Sequence, residues 1–121
     1  MKLVAILYAP FALLLASIYA NPVDDNSVCQ SGLCVVEFNA SCNAQNSVPW
    51  IESLNDCETA RVDIVSSPDL QKQHKIVVVP TIVVFNDGQE MTRFQANIMM
   101  TMEATVEEVQ EAIDEALMSD F

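Results

Sequence analysis

The chain has 121 residues, 51% of them apolar, with two glycines and 17 acidic side chains against five basic ones, for a formal net charge of -12. That length and apolar content fit one domain with a core of its own and exclude a disordered chain. The charge excludes nucleic acid as a partner, because a phosphate backbone is repelled, and argues in the same way against an anionic membrane surface.

Residues 1–20 read as a secretory signal peptide. Lys2 precedes an apolar run over 3–15; Ala16, Ser17, Tyr19 and Ala20 follow, and the chain then turns polar at Asn21, Pro22, Asp24 and Asp25. Cleavage is expected after Ala20. An uncleaved membrane anchor is the competing reading, since the apolar run is nearly long enough to span a bilayer. With the segment removed, no stable membrane association is expected. The mature chain then sits in the secretory pathway, in the endoplasmic reticulum lumen or outside the cell, where disulfides persist.

Residues 21–33 form a polar lead-in that contains Cys29 and the turn signal Ser31, Gly32, and the folded domain is expected over 34–121. CVVEFN at 34–39 reads as a short buried strand. Residues 44–54 read as a helix kinked at Pro49, with Val48, Ile51 and Leu54 three apart on one face. Residues 60–65 return to strand, Val62 and Ile64 alternating with Arg61 and Asp63. Ser67 and Pro68 then supply an N-cap and a first helical position for a helix reaching about His74.

The run 77–85 reads as a buried strand interrupted by Pro80. Asn86, Asp87 and Gly88 supply turn chemistry, and 90–94 returns as an antiparallel strand. Because Pro80 lacks an N–H for a ladder, Val79–Pro80 is the candidate cis bond. Thr105 caps the last helix and Glu108 completes a capping box. Val106, Val109, Ile113 and Leu117 then face inward while Glu107, Glu111, Asp114 and Glu115 face water. Met99, Met100 and Met102 are expected to fill gaps in the core. No histidine or cysteine spacing accompanies them, so neither a metal nor another cofactor is expected.

The order is β, α, β, α, β, β, α. It implies a parallel βαβ unit followed by an antiparallel hairpin, and so an α/β fold with a mixed four-stranded sheet and helices on both faces.

From about Val35 to Leu117 these residues resemble a thioredoxin domain, most closely the protein disulfide isomerase group. VVEFNA at 35–40 matches the strand that leads into that family's redox site. VPTIVVFNDGQ at 79–89 matches its cis-proline strand and hairpin, and 105–117 its closing helix. The resemblance implies a thioredoxin-like fold, with Glu37 at the position of the family's buried carboxylate. It also implies a peptide-binding backbone at Val79 beside Pro80, and unfolded or disulfide-containing polypeptides as partners.

The departure falls on the chemistry. Members that catalyse disulfide exchange carry CxxC at the start of the first helix; here the segment is SCNAQN at 41–46. The stretch between Phe38 and Pro49 is two residues shorter than the family's. Counting from Phe38 puts the first active cysteine at Asn43, counting from Pro49 puts it at Ser41, and Cys42 lies between. The second cysteine position is Asn46 or Ala44, so a resolving thiol is absent on either count. A thiolate near a helix N-terminus can still attack a disulfide, but without a neighbouring thiol the adduct is not resolved intramolecularly. Cys42 is therefore either a reactive single thiol or a small residue with no redox role.

At opposite ends of an intact helical stretch, Cys42 and Cys57 would lie about 20 Å apart, beyond disulfide reach. The helix returns Cys57 towards Cys34, and Cys29 is also at that end. One bridge among Cys29, Cys34 and Cys57 is expected, with Cys29–Cys34 the simplest and Cys34–Cys57 the alternative. A further reading makes CQSGLC itself a redox pair. Glu37 is either a buried proton acceptor or an exposed polar residue on an alternating strand. Asn39, Ala40 and Ser41 form a glycosylation sequon. Two functional classes follow: a secretory thiol protein using Cys42, with Glu37, in mixed-disulfide or isomerase-type exchange, or a non-catalytic module that pairs extended peptide with the Val79–Pro80 edge.

Overall fold

A computed structural model of the chain describes residues 29–119. The expected signal segment 1–20, with its anchor alternative, lies outside the described residues, as does the lead-in before Cys29.

Four strands form one sheet in the order β2-β1-β3-β4. Strand β1 is Leu33–Asn39, β2 is Glu58–Asp63, β3 is Thr81–Asn86 and β4 is Gln89–Gln95. Strand β1 runs parallel to β2 and antiparallel to β3, and β3 pairs antiparallel with β4. The two central strands carry the continuous apolar runs because both of their faces are covered. Leu33 and Val35 of β1 meet Ile82 and Val84 on one face, against Val48, Ile51 and Leu54 and the last helix, α2 (Val106–Met118). The intervening Cys34, Val36 and Phe38 join Val83, Phe85 and Ile76 on the other face, where Leu70 of helix α1 (Pro68–Gln73) packs. Period-two alternation thus divides one strand between two cores.

The β3–β4 turn puts Asp87 and Gly88 at φ of 52° and 82°, the two left-handed positions of a type I′ hairpin. Asp87 and glycine tolerate this region, which explains why the turn falls there. The Val79–Pro80 bond is cis. Helix α2 opens with the expected capping box: Glu108 N donates to Thr105 Oγ1 at 3.2 Å and Thr105 N to Glu108 Oε1 at 2.8 Å. Val109 and Ile113 are fully buried, Val106 and Leu117 pack at the margin, and the acidic positions face water.

Several local expectations are corrected. The helix expected over 44–54 is two short 3-10 segments, Ser41–Asn46 and Ile51–Ser53. Pro49 disfavours helical geometry at the residue before it, and the Asn43, Asn46 and Ser47 side chains satisfy hydrogen bonds locally rather than leaving a regular helix. Val48, Ile51 and Leu54 are buried all the same. The strand expected from Val77 starts only at Thr81, after Pro80, and Val77 is exposed. Ser67 occupies the N-cap of α1, but through its carbonyl, which accepts from Leu70 N and Gln71 N, with no side-chain cap bond. Of the three methionines expected in the core only Met102 packs against it; Met99 and Met100 are exposed.

Candidate functional site

Beyond the C-terminal end of β1 the chain passes Ala40 into the 3-10 segment that carries Cys42. Its thiol is free and exposed. The segment spans six residues, with Asn43 off helical geometry. The regular helix whose positive end was to face the thiol is therefore absent. The neighbouring Asn43 is fully buried and its hydrogen bonds organise the loop. Its Nδ2 donates to Asn39 Oδ1 at 3.2 Å and to Met100 O at 3.1 Å, while its Oδ1 accepts from Asn46 Nδ2 at 2.8 Å.

Asn39 completes the network by donating from Nδ2 to Asn43 O at 3.1 Å. The amide nitrogen of the expected sequon is thus buried and used internally. Asn39 is a structural residue in the folded chain, not an exposed acceptor for a glycan.

Glu37 lies on the same side of β1 as Leu33 and Val35, and its carboxylate is buried. One of the two readings left open by alternation, an exposed residue, is thereby removed. The carboxylate accepts from Val48 N at 2.6 Å and from Ser47 Oγ at 3.0 Å, and it pairs with Arg61 Nη1. Arg61 stands opposite it in the β1–β2 register. The remaining guanidinium bonds run from Nε to Glu52 Oε2 at 2.9 Å, from Nη2 to Glu52 Oε1 at 2.8 Å, from Nη2 to Val48 O at 2.8 Å and from Nη1 to Ser47 Oγ at 2.8 Å.

All five N–H donors of Arg61 are occupied. Its hydrogen bonds to Glu52, opposed by desolvation and helped by the Glu37 charge, hold its pKa above the ordinary arginine value, and the same bonds hold Glu52 below the usual carboxylate value. The group clasps the segment 47–52 onto the sheet. A cleft of about 240 Å³ opens beside it, lined by Glu37, Ser41, Ala44, Arg61 and Asp63. Because Arg61 has no donor to spare, that cleft offers no guanidinium to an anion. Among the described residues Glu37 makes no hydrogen bond to Cys42.

The Val79–Pro80 segment is tied to the loop before α2 by Ala96 N donating to Pro80 O at 3.0 Å. Thr81 Oγ1 donates to Val78 O at 2.6 Å. Among the described residues the backbone of Val79 makes no hydrogen bond, and its side chain is half-buried against the second core. Asn43 reaching Met100 and Ala96 reaching Pro80 place the Cys42 loop and the Pro80 segment against two ends of one loop, 96–101.

The remaining cysteines sit at the other end of β1. Cys29 and Cys34 are disulfide-bonded, with their Cα atoms 5.8 Å apart. The enclosed turn docks on the hairpin: Gly32 N donates to Asp87 Oδ1 at 2.7 Å and Asp87 N to Gly32 O at 3.0 Å. Cys57 is free and half-buried, and burial, then the nearby Asp56 charge, pushes its thiol pKa up. The Cys34–Cys57 alternative is therefore not the one formed. Strand β1, about 20 Å long at the usual rise per residue, separates the disulfide from Cys42. Among the described residues no cluster of potential ligands gathers that would hold a metal ion.

Sequence reasoning passed over Arg61 and the asparagine network. The signals were present: an arginine on the strand parallel to Glu37, and two asparagines at the NxxN spacing of 43 and 46.

No family model matches the chain, and no curated protein matches it. Solved structures do. An N21Q mutant thioredoxin from Halobacterium salinarum NRC-1 superposes with a TM-score of 0.61 at 19% identity, covering 75% of this chain and 80% of that one. Thioredoxin from Schistosoma mansoni gives 0.57 at 17%, covering 73% and 80%. Thioredoxin 1 from Thermosipho africanus TCF52B gives 0.56 at 21%, covering 72% and 97%. At such identities the likeness establishes the fold: the chain has a thioredoxin-like α/β fold with a mixed four-stranded sheet and helices on both faces.

Proposed function

We propose that the chain is a secretory-pathway, thioredoxin-fold thiol protein related to the disulfide isomerases, with Cys42 as its single reacting group. The observation that carries this reading is the exposed, free Cys42 on the loop that follows β1, while Cys29 and Cys34 are closed in their own bridge far from it. The Cys42 thiolate attacks one sulfur of a client disulfide; that S–S bond breaks and the second client sulfur departs as a thiolate. A client thiolate then attacks the mixed disulfide and displaces Cys42. The net change is a rearranged client disulfide, with no oxidant or reductant consumed.

Net oxidation or reduction by repeated turnover is not part of the proposal, since Cys42 has no neighbouring thiol to release the adduct. Glu37 contributes by anchoring Ser47 and Val48, where the chain leaves the Cys42 loop, as a positioning residue. The signal-like residues 1–20 and the Cys29–Cys34 bridge support the compartment. Unfolded, disulfide-containing polypeptides are the client class.

A second reading is favoured by the Val79 backbone, which makes no hydrogen bond among the described residues: a non-catalytic module in which an extended peptide pairs with that edge beside Pro80. One experiment separates the two. The protein is incubated with a client that carries scrambled disulfides and is quenched with acid. The thiol reading expects a covalent complex, released by added thiol and absent with Cys42→Ser. Client binding that persists unchanged in Cys42→Ser with no covalent complex leaves the peptide-module reading in its place.

A further inference from the structure

Ile98, Met99 and Met100 are three consecutive large apolar residues with 97%, 73% and 44% of their surface in water. Single exposed apolar side chains are ordinary, but three in a row on a held loop are a patch. The loop is framed by Asn97, whose Oδ1 accepts from Met99 N at 2.9 Å, Thr101 N at 3.2 Å and Thr101 Oγ1 at 3.0 Å. Asn97 N donates to Thr101 O at 3.0 Å, and Met100 N to Asn97 O at 2.9 Å. Met100 sits at φ 61°, a left-handed conformation that methionine rarely adopts. The chain thus holds these side chains away from its own core, at the cost of the transfer free energy that burial would recover. A framed tip loses little conformational freedom on docking, and methionine adapts to an uneven partner surface.

Charge decides the occupant. Glu103 stands at the foot of the tip, accepting from Asn97 Nδ2 at 3.0 Å, and Glu107 opens the helix that follows. A second copy brings the same excess, a net charge of -12, and with its Arg61 and Arg93 already paired with Glu37, Glu52 and Glu90 it has only Lys72 and Lys75 to offer among the described residues. An anionic bilayer is repelled for the same reason.

We propose that the Ile98–Met100 tip docks a basic, amphipathic polypeptide, whose apolar side chains receive Ile98 and Met99 while its lysines or arginines meet the acidic surround. Asn43 joins Met100 to the Cys42 loop. The docked polypeptide is therefore the client held beside the thiol, and in that respect the inference rests on the function proposed above.

The test uses a fluorescent amphipathic peptide with leucines at helical spacing and lysines elsewhere, and a counterpart with glutamates in place of the lysines. Anisotropy is followed with the purified protein and with an Ile98→Ser/Met99→Ser variant whose melting curve confirms folding. The lysine peptide binds the wild type, the variant binds it about tenfold more weakly, and the glutamate peptide does not bind. Equal affinity of wild type and variant, or no binding of the lysine peptide, overturns the proposal. So does binding to phosphatidylcholine vesicles, with or without phosphatidylserine, that is lost in the variant. A dimer in sedimentation that is lost in the variant has the same consequence. Alkylation of Cys42 in the wild type is read in parallel. A reactive Cys42 with a tip that fails to dock overturns this inference alone; a docking tip with an unreactive Cys42 overturns the thiol reading alone.

Discussion

Glu37 on β1 and Arg61 on β2 face each other in the parallel register and form an ion pair in which no guanidinium N–H is left over. The carboxylate is buried, while the Arg61 side chain keeps 36% of its surface in water. Removing one member of a buried pair costs about 3–5 kcal/mol, because the other charge is left without a partner. Solvent at Arg61 screens part of that cost. Arg61→Met is therefore expected to destabilise by an amount near or below the lower end of that range in a urea unfolding curve. Arg61→Lys keeps the charge but not the fork, and should fall between. A midpoint unchanged in Arg61→Met would show that the clasp does not hold segment 47–52.

The Cys29–Cys34 bridge closes a short loop, with a sequence separation of five. For a loop of that size the chain-entropy treatment gives about 2 kcal/mol, less than for bridges that span long loops. Reduction, or Cys29→Ala with Cys34→Ala, is expected to lower stability by about that much. The rate of Cys42 alkylation should stay the same, since β1 lies between the two sites. A change in that rate on breaking the bridge would mean that the two ends of the sheet are coupled.

His74 packs against Phe38 and Phe85, tilted 45° to the first and edge-on at 69° to the second, with ring centroids 5.4 and 5.2 Å away. Burial lowers its pKa; the Glu90 charge opposes that shift and the Arg93 charge adds to it. With the folded pKa below the unfolded value, the unfolded state binds more protons between the two. Stability from neutral His74 is present at and above the unfolded pKa of about 6.5 and is lost as pH falls towards the folded one. The urea midpoint should drop between pH 7.5 and 5.5, and more steeply in the wild type than in His74→Phe. Equal slopes would place the pH dependence on other groups.

The parts of this fold legible in the sequence were those fixed by local chemistry. The apolar runs of β1 and β3, the Asp87–Gly88 turn, the Thr105–Glu108 box and the partition of Val109 and Ile113 from Glu111 each follow from period and turn type alone. The parts that escaped depend on neighbours distant in sequence. Arg61 has an ordinary surface-strand context until β1 places Glu37 beside it. Met99 and Met100 are apolar by type, and only the frame around Asn97 turns them outward. The spacing of Val48, Ile51 and Leu54 fits a regular helix as well as it fits the turn at Pro49 and the short 3-10 segment after it.

The same dependence on context governs the Cys42 loop and leads to the last prediction. Counting residues left the active positions undecided, but Asn46 Nδ2 lies 2.8 Å from Asn43 Oδ1, so side chains at 43 and 46 meet. No comparable contact joins Cys42 to Gln45 among the described residues. Asn43→Cys with Asn46→Cys, in a Cys42→Ser background, should therefore form a disulfide on mild oxidation, whereas Gln45→Cys beside the native Cys42 should not. On the thiol reading proposed above, the engineered pair places a second thiol beside the first, so insulin-type reduction should rise from near zero to measurable turnover in the double cysteine variant alone. Its folded state should be weaker. Losing the Asn43 side chain removes the donor to Met100 O and to Asn39 Oδ1, while Asn39 Nδ2 keeps the Asn43 backbone carbonyl; the stranded oxygen of buried Asn39 costs about 1–3 kcal/mol. Mass analysis of the oxidised variant and its melting curve check both halves. Free thiols at 43 and 46 after oxidation, in a chain that still melts cooperatively, would show that the asparagine contact does not mark the family's redox positions.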